Sequence, residues 1–231
     1  MLRAAFNNIV HLFFPHICAG CGTDLISERQ LLCFTCSDQL PQTNFHYHQN
    51  NPVEKIFWGR LPLNSAASYF FFTKNSVLQH LLHQLKYENR PELGLYLGRI
   101  MGEGFLNSHR FKHFDLIIPL PLHREKQKKR GYNQAEEIAK GIGEVLQLPV
   151  RNDLVHRIKK TDTQTFRNRV ERWENIKSKF LLSNQMALQN KHVLLVDDVV
   201  TTGATLESCG TEILNADGCH LSIATVAYTS L

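Results

Sequence analysis

The stretch Val193-Leu-Leu-Val-Asp-Asp-Val-Val-Thr-Thr-Gly-Ala-Thr205 constrains this chain more than any other. It opens on a continuous apolar run with no polar residue to mark a wet face. Such a run suits a strand buried on both sides, as strands are inside a parallel sheet. Asp197 and Asp198 then stand at its carboxyl end, where open α/β sheets place their ligands. Thr201, Thr202, Gly203, Ala204 and Thr205 are small enough for their backbone N–H groups to close around an anion. The helical pattern that follows points its positive end at the same place. The bland alternative is a buried strand running into an ordinary helix capped by Asp or Thr. The uninterrupted order of apolar run, acid pair and hydroxyl-rich turn favours a phosphate cradle.

The rest of the chain supplies a setting for that turn. Ala66 to Phe72 reads as a strand, and Val77, Leu78, Leu81, Leu82 and Leu85 recur at helical spacing after it. Pro91 opens a second helix carrying Leu93, Leu97, Ile100, Met101 and Phe105. Asp115 to Leu122 is another apolar strand, halted by Pro119 and Pro121. The basic run Arg124, Lys126, Lys128, Lys129 and Arg130 leaves that strand as a loop and returns into a helix striped by Ala135, Ile138, Ala139, Ile142 and Leu146. A basic run is commonly just a solvated face, but a loop after a parallel strand is also where a second anion contact belongs. A third basic region runs from His156 to Asn175. Lys191 to Val196 is the strand before the acid pair, and Leu221 to Tyr228 the last strand. Strands alternating with helices predict an α/β fold, a mostly parallel sheet flanked by helices.

Four of the six cysteines form two closely spaced pairs, Cys18-x2-Cys21 and Cys33-x2-Cys36. Two such knuckles about a dozen residues apart present four thiolates in the tetrahedral set that structural zinc prefers. Two disulfides are the competing reading, and they need an oxidising compartment. Cys209 and Cys219 stand apart and read as small buried hydrophobes. The expected organisation is a zinc-ribbon-like module over residues 1–45 and a linker over 46–65, with His46 and His48 on an exposed connector. An α/β domain follows over 66–231.

Across 231 residues the formal charge is +5, which suits anionic ligands without implying a dedicated nucleic-acid binder. No run reaches the about eighteen apolar residues of a membrane span. Asn7, Asn8 and His11 interrupt the apolar lead-in, against a secretory leader. A cytoplasmic protein without membrane insertion is expected.

The turn at Thr201 to Thr205, with Asp197 and Asp198 before it, resembles the phosphoribosyl-pyrophosphate (PRPP) loop of type I phosphoribosyltransferases. Further motifs extend the likeness: Phe14-Pro15 before Cys18-x2-Cys21-Gly22, Leu85-Lys86-Tyr87, Ile118-Pro-Leu-Pro-Leu-His123 and Arg130-Gly-Tyr-Asn-Gln-Ala135. Arg157, Thr161-x2-Gln164, Arg172-x2-Asn175 and Phe180 follow in the same order. Together these resemble the ComF/GntX family of competence-related proteins over nearly the whole chain. Two stretches depart from the family pattern: Thr165-Phe-Arg-Asn168 replaces a Leu-Ser-Arg-like segment, and Glu88-Asn-Arg90 stands where a glycine is common. The resemblance implies a type I phosphoribosyltransferase-like fold with an N-terminal zinc module. It implies PRPP, or a related phosphorylated ribose, as ligand with Mg²⁺, and transfer of phosphoribose to an acceptor. Asp197 and Asp198 would face the sugar as the catalytic pair. Thr201 to Thr205 would hold the phosphate, Arg124 and Arg130 the diphosphate, and Cys18, Cys21, Cys33 and Cys36 the zinc. A link to DNA uptake follows from the same resemblance. The alternative is a non-catalytic adaptor that binds single-stranded DNA or proteins of the uptake machinery.

Overall fold

A computed structural model describes residues 16–27, 30–158 and 179–229. The family-like residues Phe14 and Pro15, and the basic region from Lys159 to Asn175, lie outside them.

Four strands form one parallel sheet: β1 (Ser65–Phe71), β2 (Leu116–Pro119), β5 (His192–Val200) and β6 (His220–Tyr228), in the spatial order β1-β6-β5-β2. A small antiparallel pair, β3 (Val155–Arg157) and β4 (Phe180–Leu182), stands apart from it. The apolar run predicted to be buried on both sides is so. Val193 and Leu195 enter one core cluster, Leu194 and Val196 the other, as strand alternation requires. Between the strands run α3 (Val77–Tyr87), α4 (Pro91–Leu106), α5 (Arg124–Arg130), α6 (Gln134–Leu146) and α7 (Ala204–Ile213). Buried residues of α3 and α4, with Ile138, Ala139 and Ile142 of α6, share the cluster with Leu194 and Val196, whereas those of α7, with Ala135 of α6, share the cluster with Val193 and Leu195.

Ser76 caps α3 by accepting from the Gln79 N–H, and Pro91 occupies the first turn of α4, the helix it was expected to open. Helices α4 and α6 approach backbone to backbone. A Cβ on Gly98 would lie 2.1 Å from the Ile138 carbonyl oxygen, and one on Gly141 2.2 Å from that of Leu95. Only glycine permits this crossing.

The stretch expected as linker carries structure of its own: a 3₁₀ turn at Phe45–Tyr47 and a helix, α2 (Pro52–Phe57). Asn51 caps α2 by accepting from the N–H groups of Val53 and Glu54. His46 is buried and stacked on Tyr69, with ring centroids 5.0 Å apart, while His48 is exposed as expected. Burial, with a smaller push from His48, lowers the His46 imidazole to about 4. The histidine-rich composition suggested a wet connector, but an aromatic neighbour made a neutral imidazole a good core group. Helix α1 (Phe34–Asp38) belongs to the cysteine-bearing segment before this stretch.

Candidate functional site

Strand β5 runs four residues further than the apolar run suggested, to Val200, so the acid pair sits within the strand. Its neighbour β2 stops at Pro119, opposite Val196, while β6 continues alongside. Pro119 has no N–H to extend the ladder, and Pro121 follows at once. Asp197 and Asp198 are therefore the first residues of β5 past the end of β2, at the carboxyl edge of the sheet.

Alternation along the strand separates the two carboxylates. Asp198 Oδ2 meets Lys86 Nζ, from the last turn of α3, at 2.8 Å, and its Oδ1 accepts from the Val199 N–H. Asp197 lies in register with Thr225, on the face where Cys209 of α7 is buried. Its Oδ1 accepts the Asp198 N–H at 2.8 Å. Burial, followed by the adjacent Asp198 charge, pushes Asp197 up to about 8. The Asp198 N–H, Lys86 and Arg157 oppose that shift only in part. Arg157 on β3, its guanidinium 5.5 Å from the centroid of the Phe180 ring, thus contributes charge on the Asp197 side.

Thr201 and Thr202 are exposed after β5, and Gly203 turns the chain at φ 72° into α7. No side chain caps that helix. Its first-turn donors are therefore not claimed by an Asp or Thr cap, which disposes of the capped-helix alternative. A Cβ on Gly203 would lie 2.7 Å from Ile56 and 2.8 Å from Phe57 of α2. Arg60 holds the outside of the turn. Its Nη1 donates to the Thr202 carbonyl (3.0 Å) and the Ile56 carbonyl (2.9 Å), and its Nε to Glu207 (3.0 Å). Sequence reasoning missed Arg60, Ile56 and Phe57 because they stand in the presumed linker. The one available signal was Asn51-Pro52, a cap followed by proline at the first helical position.

The basic run forms α5, not a loop. Glu125 N–H donates to His123 Nδ1 at its start, and Gly131 at φ 83° ends it. None of its residues is buried, so its helicity rests on good helix formers and these ends, which have no apolar period to betray them. Arg130 donates to Gln134 Oε1 at 2.7 Å and sits 5.3 Å from the centroid of the ring of Tyr87, the residue after Lys86. Arg124 is exposed at the opposite end of α5. Tyr132 donates its hydroxyl to the Leu85 carbonyl, and Asn133 Nδ2 to that of Leu120 (3.0 Å) while capping α6. These residues of the 130–135 motif bind the exit of β2 to the end of α3.

The four clustered cysteines converge. One sulfur from each lies within 4.8 Å of the others, and Cys21 and Cys33 are 3.8 Å apart. A tetrahedral site with 2.3 Å metal–sulfur bonds places its sulfurs about 3.8 Å apart. A disulfide needs about 2.05 Å. All six cysteines are free. Burial raises the Cys18 thiol, but N–H groups of Cys33, Cys21 and Gly20 outweigh it and bring it down to about 6. The donor set and its N–H support fit a metal ion. The cluster is also tied to α3, the helix whose Lys86 pairs with Asp198. Gly20 is wedged between Cys36 and Val77, and Gln84 Nε2 donates to the Ala19 carbonyl at 2.7 Å. Cys209 is buried as predicted, whereas Cys219 is only half-buried.

Residues 128–230 match the family model "Phosphoribosyl transferase domain". The fold and the site thus define a phosphoribosyltransferase-type α/β domain bearing a four-cysteine cluster. The chain belongs to the ComF/GntX family. It is 29% identical to Competence protein F of Haemophilus influenzae over 205 residues, 84% of this chain and 89% of that one. It is 31% identical to DNA utilization protein YhgH of Shigella flexneri over 194 residues, 82% of this chain and 80% of that one. A glutamine PRPP amidotransferase from B. subtilis is similar in structure at a TM-score of 0.44 and 15% identity, over 62% of this chain and 30% of that one. No described helix is long and apolar enough to cross a membrane.

Proposed function

We propose that this chain binds PRPP with Mg²⁺ at the carboxyl edge of the sheet and transfers its phosphoribosyl group to an acceptor. The observation that carries the reading is the acid pair on β5 running directly into a glycine turn and an uncapped helix, within the stretch matched by the domain model. Backbone N–H groups of Thr202 to Thr205 hold the 5-phosphate. Asp197 and Asp198 hydrogen-bond the ribose hydroxyls, Asp197 with the proton that burial leaves on it and Asp198 as the carboxylate that favours the positive charge developing at the anomeric carbon. Arg130, with Arg124, draws the diphosphate away from that carbon. Catalysis of this kind rests on position and electrostatics, with no side-chain nucleophile.

Three of the four carboxylate oxygens of the pair are already engaged: Asp197 Oδ1 and Asp198 Oδ1 by backbone N–H groups, Asp198 Oδ2 by Lys86. Such a pair fits a Mg²⁺ that arrives on the diphosphate and borrows few protein ligands, the usual habit of that ion. When bound, Mg²⁺ offsets the charge of the leaving diphosphate. Zn²⁺ is the ion we assign to Cys18, Cys21, Cys33 and Cys36, in a structural role suited to a reducing cytoplasm.

The names of the relatives, competence and DNA utilization, support a role for this activity in the handling of taken-up DNA. A second reading, an adaptor binding single-stranded DNA, is favoured by the exposed basic helix α5. Its mark is a single-stranded DNA affinity that falls steeply with salt and persists without PRPP. The PRPP reading is tested by calorimetric titration of the purified chain with PRPP and Mg²⁺. Saturable binding supports it, and no heat contradicts it.

A further inference from the structure

We propose that Arg60 is the positioning residue of the phosphate turn, and that it sets affinity for the 5-phosphate end of the ligand. This inference rests on the PRPP reading above. It concerns a residue outside the stretch matched by the domain model, which begins at residue 128.

The peptide joining Thr202 to Gly203 is planar, so its carbonyl and its N–H point to opposite sides. Arg60 Nη1 holds the Thr202 carbonyl at 3.0 Å on the outer side of the turn. That grip directs the Gly203 N–H inward, toward the anion. The grip is itself braced. The same Nη1 donates to the Ile56 carbonyl at 2.9 Å, fixing the guanidinium on α2, and Nε and Nη2 fork onto Glu207 Oε2. Gly203 is packed against Ile56 and Phe57 with no room for a Cβ, so the turn is held both by shape against α2 and by the Arg60 hydrogen bond. A lysine, with a single ammonium, cannot bind the two carbonyls and the carboxylate in one plane.

Charge adds a second reason. Glu207 lies in the first turn of α7, close to where a phosphate would sit, and its carboxylate opposes an anion there. Arg60 neutralises it. Removing Arg60 both frees the Thr202 peptide to rotate and leaves the phosphate facing an uncompensated carboxylate.

The test uses the full chain and three probes: PRPP with Mg²⁺, ribose 5-phosphate, and pyrophosphate with Mg²⁺. Arg60→Ala is expected to weaken PRPP and ribose 5-phosphate by about tenfold, the worth of a lost charge-assisted hydrogen bond, and to leave pyrophosphate within about twofold. Arg60→Ala with Glu207→Gln should recover part of the loss, because the opposing charge is gone. Should Arg60→Ala fail to fold, Arg60→Lys, which keeps the charge and loses the fork, reads the same clamp, with about a threefold loss for ribose 5-phosphate against unchanged pyrophosphate. Ribose 5-phosphate affinity within about twofold of the unaltered chain overturns the role of Arg60, as does an equal loss of all three probes, which marks a general structural effect. Failure of the unaltered chain to bind PRPP overturns the underlying reading instead.

Discussion

Lys86 Nζ stands 2.8 Å from Asp198 Oδ2, which joins the end of α3 to the acid pair of β5. The side chains are 23% and 15% exposed, so water screens the pair only partly. Each neighbouring residue of α3 makes a different attachment: Gln84 to Ala19, Leu85 to Tyr132, Tyr87 to Arg130. The last turn of α3 is therefore where the cysteine cluster, the 130–135 motif and the acid pair meet. Lys86→Met should lower stability in urea by about 1–3 kcal/mol, because it strands a half-buried carboxylate. Adding Asp198→Asn should recover part of that cost, and a coupling near zero in the double-mutant cycle would contradict the pairing.

Asp197 gives the fold a pH signature. Its carboxyl rises from the ordinary 3.8 to about 8, so the unfolded chain loses this proton near pH 4 while the folded chain keeps it until near pH 8. The stability it contributes is full below the lower value and is lost as pH rises through the upper one. Asp197→Asn does not titrate. Compared by urea midpoint, the variant should gain on the unaltered chain steadily between pH 4 and pH 8, and a pH-independent difference would contradict the assignment.

The crossing of α4 and α6 is intolerant of a single methyl. Gly141→Ala drives a Cβ toward the Leu95 carbonyl, a backbone atom that cannot swing aside, and should cost at least about 3 kcal/mol. Gly59→Ala is the control. Gly59 has φ 69° but open space around its Cβ position, so its cost should stay near the about 1–2 kcal/mol of a left-handed backbone. Equal melting temperatures for the two variants would refute the distinction.

Metal content is directly measurable. Elemental analysis of the purified chain should find one zinc per chain, and Cys18→Ser or Cys36→Ser should abolish it. Removing the ion with a chelator should lower the melting temperature and expose Gln84 and Val77, which the cluster covers. Full zinc loading of the serine variants, or no change in melting on chelation, would contradict a structural site.

Much of this was legible before any coordinates, and the reasons are physical. The run at Val193 to Val196 announced its two-sided burial because no residue in it tolerates water, and the cysteine spacing announced convergence because knuckles are local. What escaped reading was non-local. Nothing in the order of residues from Phe45 to Arg60 reveals that Phe57 would close on Gly203, or that Arg60 would reach Thr202. Helix α5 is a local exception: lying wholly at the surface, it carries no apolar period to mark it as a helix. The end of β5 is masked in the same way, since the acid pair, polar yet in the sheet, imitates a strand terminus.

The central claim is that the acid pair and the turn grip two parts of one ligand. It is tested most directly by calorimetric titration of PRPP in saturating Mg²⁺ into the unaltered chain and into Asp197→Asn/Asp198→Asn. The account predicts saturable one-site binding for the first, and for the second a loss of at least about tenfold in affinity, as expected when a charged hydrogen-bond acceptor and its partner carboxyl are removed. No binding by the unaltered chain, or equal binding by both, would contradict it.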